Sequence, residues 1–293
     1  MRPWFFVSDL HGKPRRFQAL FTAIRTQRPE AVFITGDILP HLFASLSDTG
    51  ITSPHNDFLA DFILPHLKTL RTDLGTEYPA IFLILGNDDP RIEEPGMLDA
   101  AHTGLFFYCH YRITDFNGFQ ILGYSYVPPT PFLLKDWERY DVSAYVDPGC
   151  IPPDSGHHSA PIPDEESQTS TIKEDLENLT RNLDPAHTIG LFHSPPYQTL
   201  LDRAALDGKF IDHVPLDVHI GSIAVRRYIE SRQPLLTLHG HVHESTRLTG
   251  HWKERIGSTW CFQGAHDGPE LALIRFHPSD PEAAERLVIP GEG

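Results

Sequence analysis

Five apolar runs in this sequence end on Asp, Asn or His, the side chains that hold metal ions. The richest ending is Leu238-His239-Gly240-His241-Val242-His243, which follows Pro234-Leu235-Leu236-Thr237-Leu238. A strand that ends in a glycine turn with histidines two apart can aim both imidazoles into one crevice. Pro3-Trp4-Phe5-Phe6-Val7-Ser8 runs into Asp9-Leu10-His11-Gly12, where Asp9 and His11 share a side of an extended chain. Residues 31–35 end in Gly36-Asp37, residues 80–85 in Gly86-Asn87-Asp88-Asp89-Pro90, and residues 188–192 in His193-Ser194-Pro195-Pro196.

A single Asp at a strand end is more often a turn residue. Five such endings, with two i, i+2 pairs, point to one shared site, because parallel α/β sheets bind ligands at the carboxyl ends of their strands. The donors are four imidazoles (His11, His193, His241, His243), two carboxylates (Asp9, Asp37) and the Asn87 amide. This mixed N/O set suits Mn²⁺, Fe or Zn²⁺ better than Ca²⁺. Seven donors are too many for one tetrahedral zinc and match two divalent ions about 3.5–4 Å apart. Two such ions against two carboxylates leave a charge of about +2, which attracts a phosphate ester.

The elements that must position these residues are legible from periodicity. The runs ending at Asp9, Asp37, Asn87, His193 and His239 read as buried strands. Phe17, Leu20, Phe21 and Ile24 predict a helix over 14–27, with Pro14 in its first turn. Strand, helix and strand over 3–35 form a parallel crossover. A second helix is predicted over about 56–70, bent at Pro65, after a loop at 39–54. Residues 111–116 and 119–124 flank Asn117-Gly118, which favours a tight hairpin. Further helices are expected from a Thr169 or Ser170 cap to Asn182, and over 222–231. Residues 202–216 read as a loop, and 258–263 and 270–277 as closing strands. Prolines crowd at 128–168, an irregular segment that is either a lid at the crevice mouth or a surface excursion. No internal repeat or domain boundary is visible, so residues 1–293 are read as a single domain carrying this segment as an insertion.

Composition narrows the class. The 293 residues are 40% hydrophobic and 22% charged, enough for a sizeable core. No apolar run approaches the ~20 residues of a membrane span, and no export signal is apparent. The three cysteines form no metal or disulfide spacing, so a reducing cytoplasm is expected. A net charge of −15 argues against long nucleic acid as partner while leaving a small phosphate ester open.

Taken in order, Asp9-Leu10-His11, Gly36-Asp37, Gly86-Asn87, His193 and Gly240-His241-Val242-His243 resemble the motifs of calcineurin-like metallophosphoesterases. The stretch from His193 to Glu244 looks most like the prokaryotic Icc-type branch. The resemblance implies a four-layer α/β/β/α sandwich with mixed sheets. It also implies that Asp9, His11 and His243 hold one ion, that Asn87, His193 and His241 hold the other, and that Asp37 bridges them. One position departs from the pattern. The family commonly has His directly after the metal-binding Asn, where it stabilises the transition state or protonates the leaving group. Here that position is Asp88. An unperturbed Asp has a pKa near 3.9, and two cations would lower it further, so Asp88 is either a substitute catalytic residue or a turn residue. Asp89 reads as a turn or cap residue with a supporting role open.

The functional expectation is a dinuclear metal-dependent phosphohydrolase acting on a small phosphodiester or phosphomonoester through a metal-bridging hydroxide. The alternative is a non-catalytic protein-binding scaffold of the same fold, which has little need of all seven donors. A closed structural metal site would use only four. Weaker candidates are the Gly221-Ser222 helix start as an anion site, Arg226 and Arg227 as a solvated face, and His239 as a strand-end structural residue. His55, His66, His110, His157, His158 and His266 are unassigned loop histidines.

Overall fold

Along the first strands, neighbouring side chains enter different cores. Trp4 and Phe6 join one buried cluster, Phe5 and Val7 another, as the two-residue period of a strand requires. Ala31 and Phe33 against Val32 and Ile34, and Phe82 and Ile84 against Ile81 and Leu83, repeat this division. These strands are therefore buried on both faces, which is why they read as unbroken apolar runs.

The computed structural model describes residues 2–40 and 57–291. In chain order, β1 (Trp4–Val7), β2 (Ala31–Thr35), β3 (Ala80–Ile84) and β4 (Phe107–Tyr108) precede the hairpin β5 (Arg112–Phe116) and β6 (Phe119–Tyr124). They are followed by β7 (Thr188–Phe192), β8 (Phe210–Ile211), β9 (Val214–Pro215), β10 (Leu236–His239), β11 (Lys253–Ile256), β12 (Thr259–Gln263), β13 (Leu271–Phe276) and β14 (Glu285–Ile289). The helices are α1 (Pro14–Gln27), α2 (Leu64–Leu74), α3 (Glu94–Ala101), α4 (Asp164–Gln168), α5 (Ile172–Leu179), α6 (Ile223–Arg232) and α7 (Ser245–Thr249).

One six-stranded sheet has the order β14-β13-β1-β2-β3-β4, and the other β11-β12-β10-β7-β6-β5. Strands β1 to β4 pair in parallel, as do β6, β7, β10 and β12, while the outer strands β5, β11, β13 and β14 run antiparallel to their neighbours. The cluster holding Trp4, Phe33, Phe82, Ile121, Leu191, Leu238 and Phe262 fills the space between the sheets. Helices complete the mixed α/β sandwich on the outer faces. Two parallel strand sets thus bring their carboxyl ends to one edge: β1, β2 and β3 from one sheet, β7 and β10 from the other.

The helices follow the sequence with identifiable shifts. α1 matches its predicted bounds. The helix expected from about 56 has its start outside the described residues. Leu59–Ile63 is a π-helical turn that passes into α2 just before Pro65, whose missing N–H falls in the first turn of α2. α5 begins one to two residues later than expected, with Thr171 as its cap, because the Thr171 hydroxyl accepts from Glu174 N at 3.2 Å. The expected loop over 202–216 contains the β8–β9 hairpin. α3, β4, β11 and β14 were not legible as separate elements.

Part of the proline-rich segment is built into the interior. Thr130, Lys135, Asp136, Trp137, Glu138, Arg139 and Tyr140 are buried. Lys135 Nζ bonds Glu138 Oε2 at 2.5 Å and Thr130 O at 2.8 Å. Arg139 lies over the Tyr126 ring and pairs with Asp175 and with Glu166, which also binds Arg91 at 2.6 Å. Asp136 accepts from Arg91 N at 2.8 Å, and Trp137 Nε1 donates to Asp89 O at 2.8 Å. Proline keeps the segment out of the sheets, and buried ion pairs attach it to both halves of the sandwich instead. Arg139→Met leaves a buried carboxylate, Asp175, and a half-buried one, Glu166, short of a partner. It should cost about 3–5 kcal/mol, as when one member of a buried pair is removed. Urea unfolding at pH 7 measures this, and an unchanged midpoint would contradict the account.

Candidate metal centre

The site begins as a set of turns that strands alone would not make. Past Val7, Asp9 N bonds Gly36 O at 3.1 Å, His11 N bonds Asp37 O at 2.7 Å and Gly12 N bonds Ile38 O at 2.8 Å. The β1 and β2 chains therefore stay zipped beyond their ends. Asp9, His11, Asp37 and His241 all have left-handed backbones, with φ of 57°, 48°, 50° and 72°. Asp and His tolerate this region better than most residues, yet each such turn stores roughly 1–3 kcal/mol of strain. The strain turns the side chains off the sheet faces and into the space where the two sheets' strands end.

Around that space the donors fall into two groups. His11 Nε2 is 3.0 Å from His243 Nε2, and His243 Nε2 is 3.0 Å from Asp9 Oδ1. On the other side, His193 Nε2 is 2.9 Å from Asn87 Oδ1, and the His193 and His241 rings meet edge to face. Asp37 Oδ2 stands between the groups, 3.8 Å from His11 Nε2 and 3.3 Å from His193 Nε2. Asp9, His11, Asp37 and His243 offer donor atoms all within 4.8 Å of one another, a cluster that could hold a metal ion. Donors about 3.0 Å apart are spaced as adjacent ligands of an ion with bonds of about 2.1 Å, so these residues fit divalent metal.

The electrostatics ask for the same thing. Asp9 and Asp37 are 0% and 2% exposed. Burial pulls Asp9 up, but the bond and charge of His243 outweigh it and hold Asp9 at about 2. Asp37 is held well below the usual carboxylate range, chiefly by His193 against the cost of burial. Burial opposes a charge on His193, yet Asp37 pushes it up to about 10. Burial and then the His193 charge keep His241 near 3. The charges of Asp37 and Asp9 thus favour the protonated form at His193 and His243. A divalent ion would supply that positive charge and require neutral imidazoles, so its binding would release protons.

Neighbouring groups fix each donor. His193 Nδ1 donates to Thr35 O at 2.6 Å, which leaves Nε2 facing the site. Asp37 Oδ1 accepts from Asp88 N at 2.9 Å, leaving Oδ2 for the centre. Asn87 Nδ2 donates to Asp88 Oδ1 at 3.1 Å, which turns the Asn87 carbonyl toward His193. Asp9 accepts from His241 N at 3.1 Å. Gly240 permits this approach, since a Cβ there would sit 2.6 Å from Asp9 Oδ2.

Three further residues support the donors; the sequence left a supporting role open for Asp89 and did not point to Gln263 or Arg16. Asp89, read as a turn or cap, is a buried staple: its carboxylate accepts from Ile38 N, Leu39 N and Gly86 N at 2.7–3.1 Å, joining the turns that carry Asp37 and Asn87. Gln263 Nε2 donates to Gly240 O at 2.9 Å, beneath His241. Arg16 donates to Asp9 O. Its signal was available, because Arg16 stands four residues before Leu20 on the buried face of α1.

Asp88 lies at the rim, its carboxyl 27% exposed and 3.8 Å from His11 Nδ1. Burial, and then the Asp37 charge, push it up to about 8. The protein's own charges therefore favour a protonated Asp88, opposite to the expectation from an unperturbed Asp, while bound ions would act the other way.

Two mixed sheets between helices, with Asp and His donors gathered where their strands end, define a metal-dependent phosphoesterase. The chain belongs to the calcineurin-like phosphoesterase family, whose model matches residues 3–245. Among solved structures, one is similar with 16% identity, coverage of 99% of both chains and a TM-score of 0.58. TT1561 of Thermus thermophilus is similar with 14% identity, 98% of both chains and 0.53. A dimetal phosphatase from Danio rerio shares 13% identity over 99% of both chains, at 0.48. No curated protein matches the chain.

The remaining candidates lie elsewhere. The N-terminus of α6 does receive an anion, but it is the chain's own Asp141, which accepts from Ile223 N, Ala224 N and the Ser222 hydroxyl. Arg226, expected on a solvated face, is half-buried and pins Tyr197 O and Gln198 O. His66 stacks on Phe21, His266 pairs with Glu270, His157 is exposed, and His158 bonds Pro153 O. His55 lies outside the described residues.

His110 sits among Tyr126 and Trp137, accepting from Ser125 N at 3.0 Å, and His239 bonds Ser194 O and Thr237 Oγ1. Burial holds both at about 3. Folded, they stay neutral while the unfolded chain protonates below about 6.5, so stability is lost as pH falls from 6.5 toward 3. Each contributes about 2 kcal/mol of this loss at pH 5, from about 1.4 kcal/mol per pH unit. Urea unfolding at pH 7 and pH 5 should show His110→Gln losing less than the unsubstituted protein. An identical loss would contradict the assignment.

Proposed function

We propose that the protein is a dinuclear metal-dependent phosphohydrolase acting on a small phosphodiester or phosphomonoester. Asp9, His11 and His243 would hold one ion, Asn87, His193 and His241 the other, and Asp37 would touch both. The observation that carries this reading is the position of Asp37 Oδ2, 3.8 Å from His11 Nε2 and 3.3 Å from His193 Nε2, between the two groups. Such ions supply Lewis acidity and lower the pKa of water, which is the chemistry behind an attacking bridging hydroxide.

The chain's own residues do the rest. The left-handed turns hold the donors in place before any ion arrives, so little rearrangement is required on binding. His193, locked by Thr35 O, presents one nitrogen only. Asp88, at the rim 3.8 Å from His11 Nδ1, occupies the place of the family's usual His, where a protonated carboxyl would serve as general acid to a leaving-group oxygen. The acidic surface fits a small substrate better than long nucleic acid. Free thiols at Cys109, Cys150 and Cys261 accord with a cytoplasmic enzyme. We read the chain as one domain in which 128–168 is an insertion. Among the described residues no helix is long and apolar enough to cross a membrane.

Asp37→Ala should lose bound Mn²⁺ and phosphodiesterase activity together. The loss should exceed ~100-fold, the upper range for removing a mere outer-shell partner. Full activity at unchanged metal content would overturn the site. Asp88→Asn keeps shape but removes the titratable proton. It should slow esters with poor leaving groups by roughly 10²-fold or more, the scale of general-acid catalysis, and barely touch a nitrophenyl ester. Equal effects on both esters would remove Asp88 from that role.

A further inference from the structure

We propose that Arg16 is a positioning residue for the metal centre, its guanidinium fixing the Asp9 carbonyl and so the direction of the Asp9 carboxylate. The inference rests on the reading of Asp9 as a metal ligand. Arg16 lies in the first turn of α1, seven residues after Asp9, and is 3% exposed. Its partners are all backbone carbonyls: one nitrogen donates to Asp9 O, and another to His266 O at 3.1 Å and to Gly268 O. The nearby Asp9 and Glu270 carboxylates act on the guanidinium through charge, without a hydrogen bond to it. No carboxylate bonds Arg16 among the described residues.

The reason lies in the Asp9 backbone. With φ of 57°, Asp9 leaves the strand conformation, and its carbonyl turns away from the sheet ladder. Arg16 satisfies that buried carbonyl, which would otherwise favour relaxation of the turn. Relaxation would rotate the carboxylate, and the carboxylate is shared: it accepts from His241 N at 3.1 Å and meets His243 Nε2 at 3.0 Å. One buried arginine therefore sets donors contributed by both sheets. Its other carbonyls belong to the loop after β12, whose Gly264 N bonds His239 O at 2.8 Å, so Arg16 also ties that loop to the His241 turn.

A positioning role and a simple charge effect differ in sign. Removing a cation near a metal site by charge alone tightens metal binding, whereas removing a positioning group loosens it. The test is Mn²⁺ titration, followed by the EPR signal of free ion, in the unsubstituted protein and in Arg16→Met, Arg16→Lys and Arg15→Met. Thermal unfolding of each without metal runs alongside. Arg15 is exposed on the same turn and controls for charge. Kd should rise on the order of 10–100-fold in Arg16→Met, as for loss of an outer-shell partner. It should rise less in Arg16→Lys, which keeps the charge and one donor group, and stay unchanged in Arg15→Met. Arg16→Lys carries the test where Arg16→Met yields no folded protein. Unchanged or tighter binding in the Arg16 variants, or an equal rise in Arg15→Met, would overturn the proposal. So would loss of folded protein in both Arg16 variants, because the residue would then serve the fold. Absence of Mn²⁺ binding in the unsubstituted protein would overturn the metal-site reading itself, and this inference with it.

Discussion

Two carboxylates, Asp9 and Asp37, are withdrawn from water where the strands of two sheets end, and the surrounding structure is organised by that burial. An ionised carboxylate in a protein interior needs positive charge within a few ångströms. Lysine and arginine side chains do not bond these carboxylates among the described residues. Imidazoles do, and imidazoles can surrender their protons to a metal ion. The same burial that makes uncompensated carboxylate charge costly makes a divalent cation welcome, and that links the fold to the phosphoesterase chemistry of its family.

Holding such a site open takes more than donors. Four donor residues have left-handed backbones, in three turns, and each turn is secured from behind by a different kind of group. A carboxylate, Asp89, gathers N–H groups; a guanidinium, Arg16, gathers carbonyls; an amide, Gln263, does both. Glycine at position 240 gives the two sheets' turns room to touch. The strain in the turns is local, and the network that opposes it is spread over α1, the β3 turn and the loop after β12.

The proline-rich segment shows how chain becomes ordered with little regular secondary structure, the short α4 apart. It cannot join a sheet ladder, so its polar backbone is satisfied by side chains such as Lys135, Asp136 and Glu138, which are themselves buried. Arg139 and Glu166 then tie it to Arg91 and Asp175. Through Trp137 it touches the carbonyl of Asp89, and through Asp141 the start of α6. A segment of this composition thus links the loop after β3 with the helix layer of the opposite sheet.

The buried strands and the seven side chains proposed as donors at their ends are legible in the sequence alone, because strand periodicity and run endings are local properties. α1 was legible for the same reason, since its apolar spacing and Pro14 lie within one stretch of chain. What tertiary structure decided is everything that depends on residues far apart in the chain. Asp88 reads from its residue type as an ordinary acid, while partial burial and the Asp37 charge push its carboxyl up, a neighbourhood that no local stretch of sequence shows. Arg226 looked solvated until the Tyr197 turn was placed over it, and the anion at the α6 start came from Asp141, 82 residues before Ile223. Arg16 and Asp89 took their roles only when the turns after different strands were brought together. Side-chain type is written in the sequence, while burial, charge neighbours and the partner of each polar atom are set by which segments pack against one another.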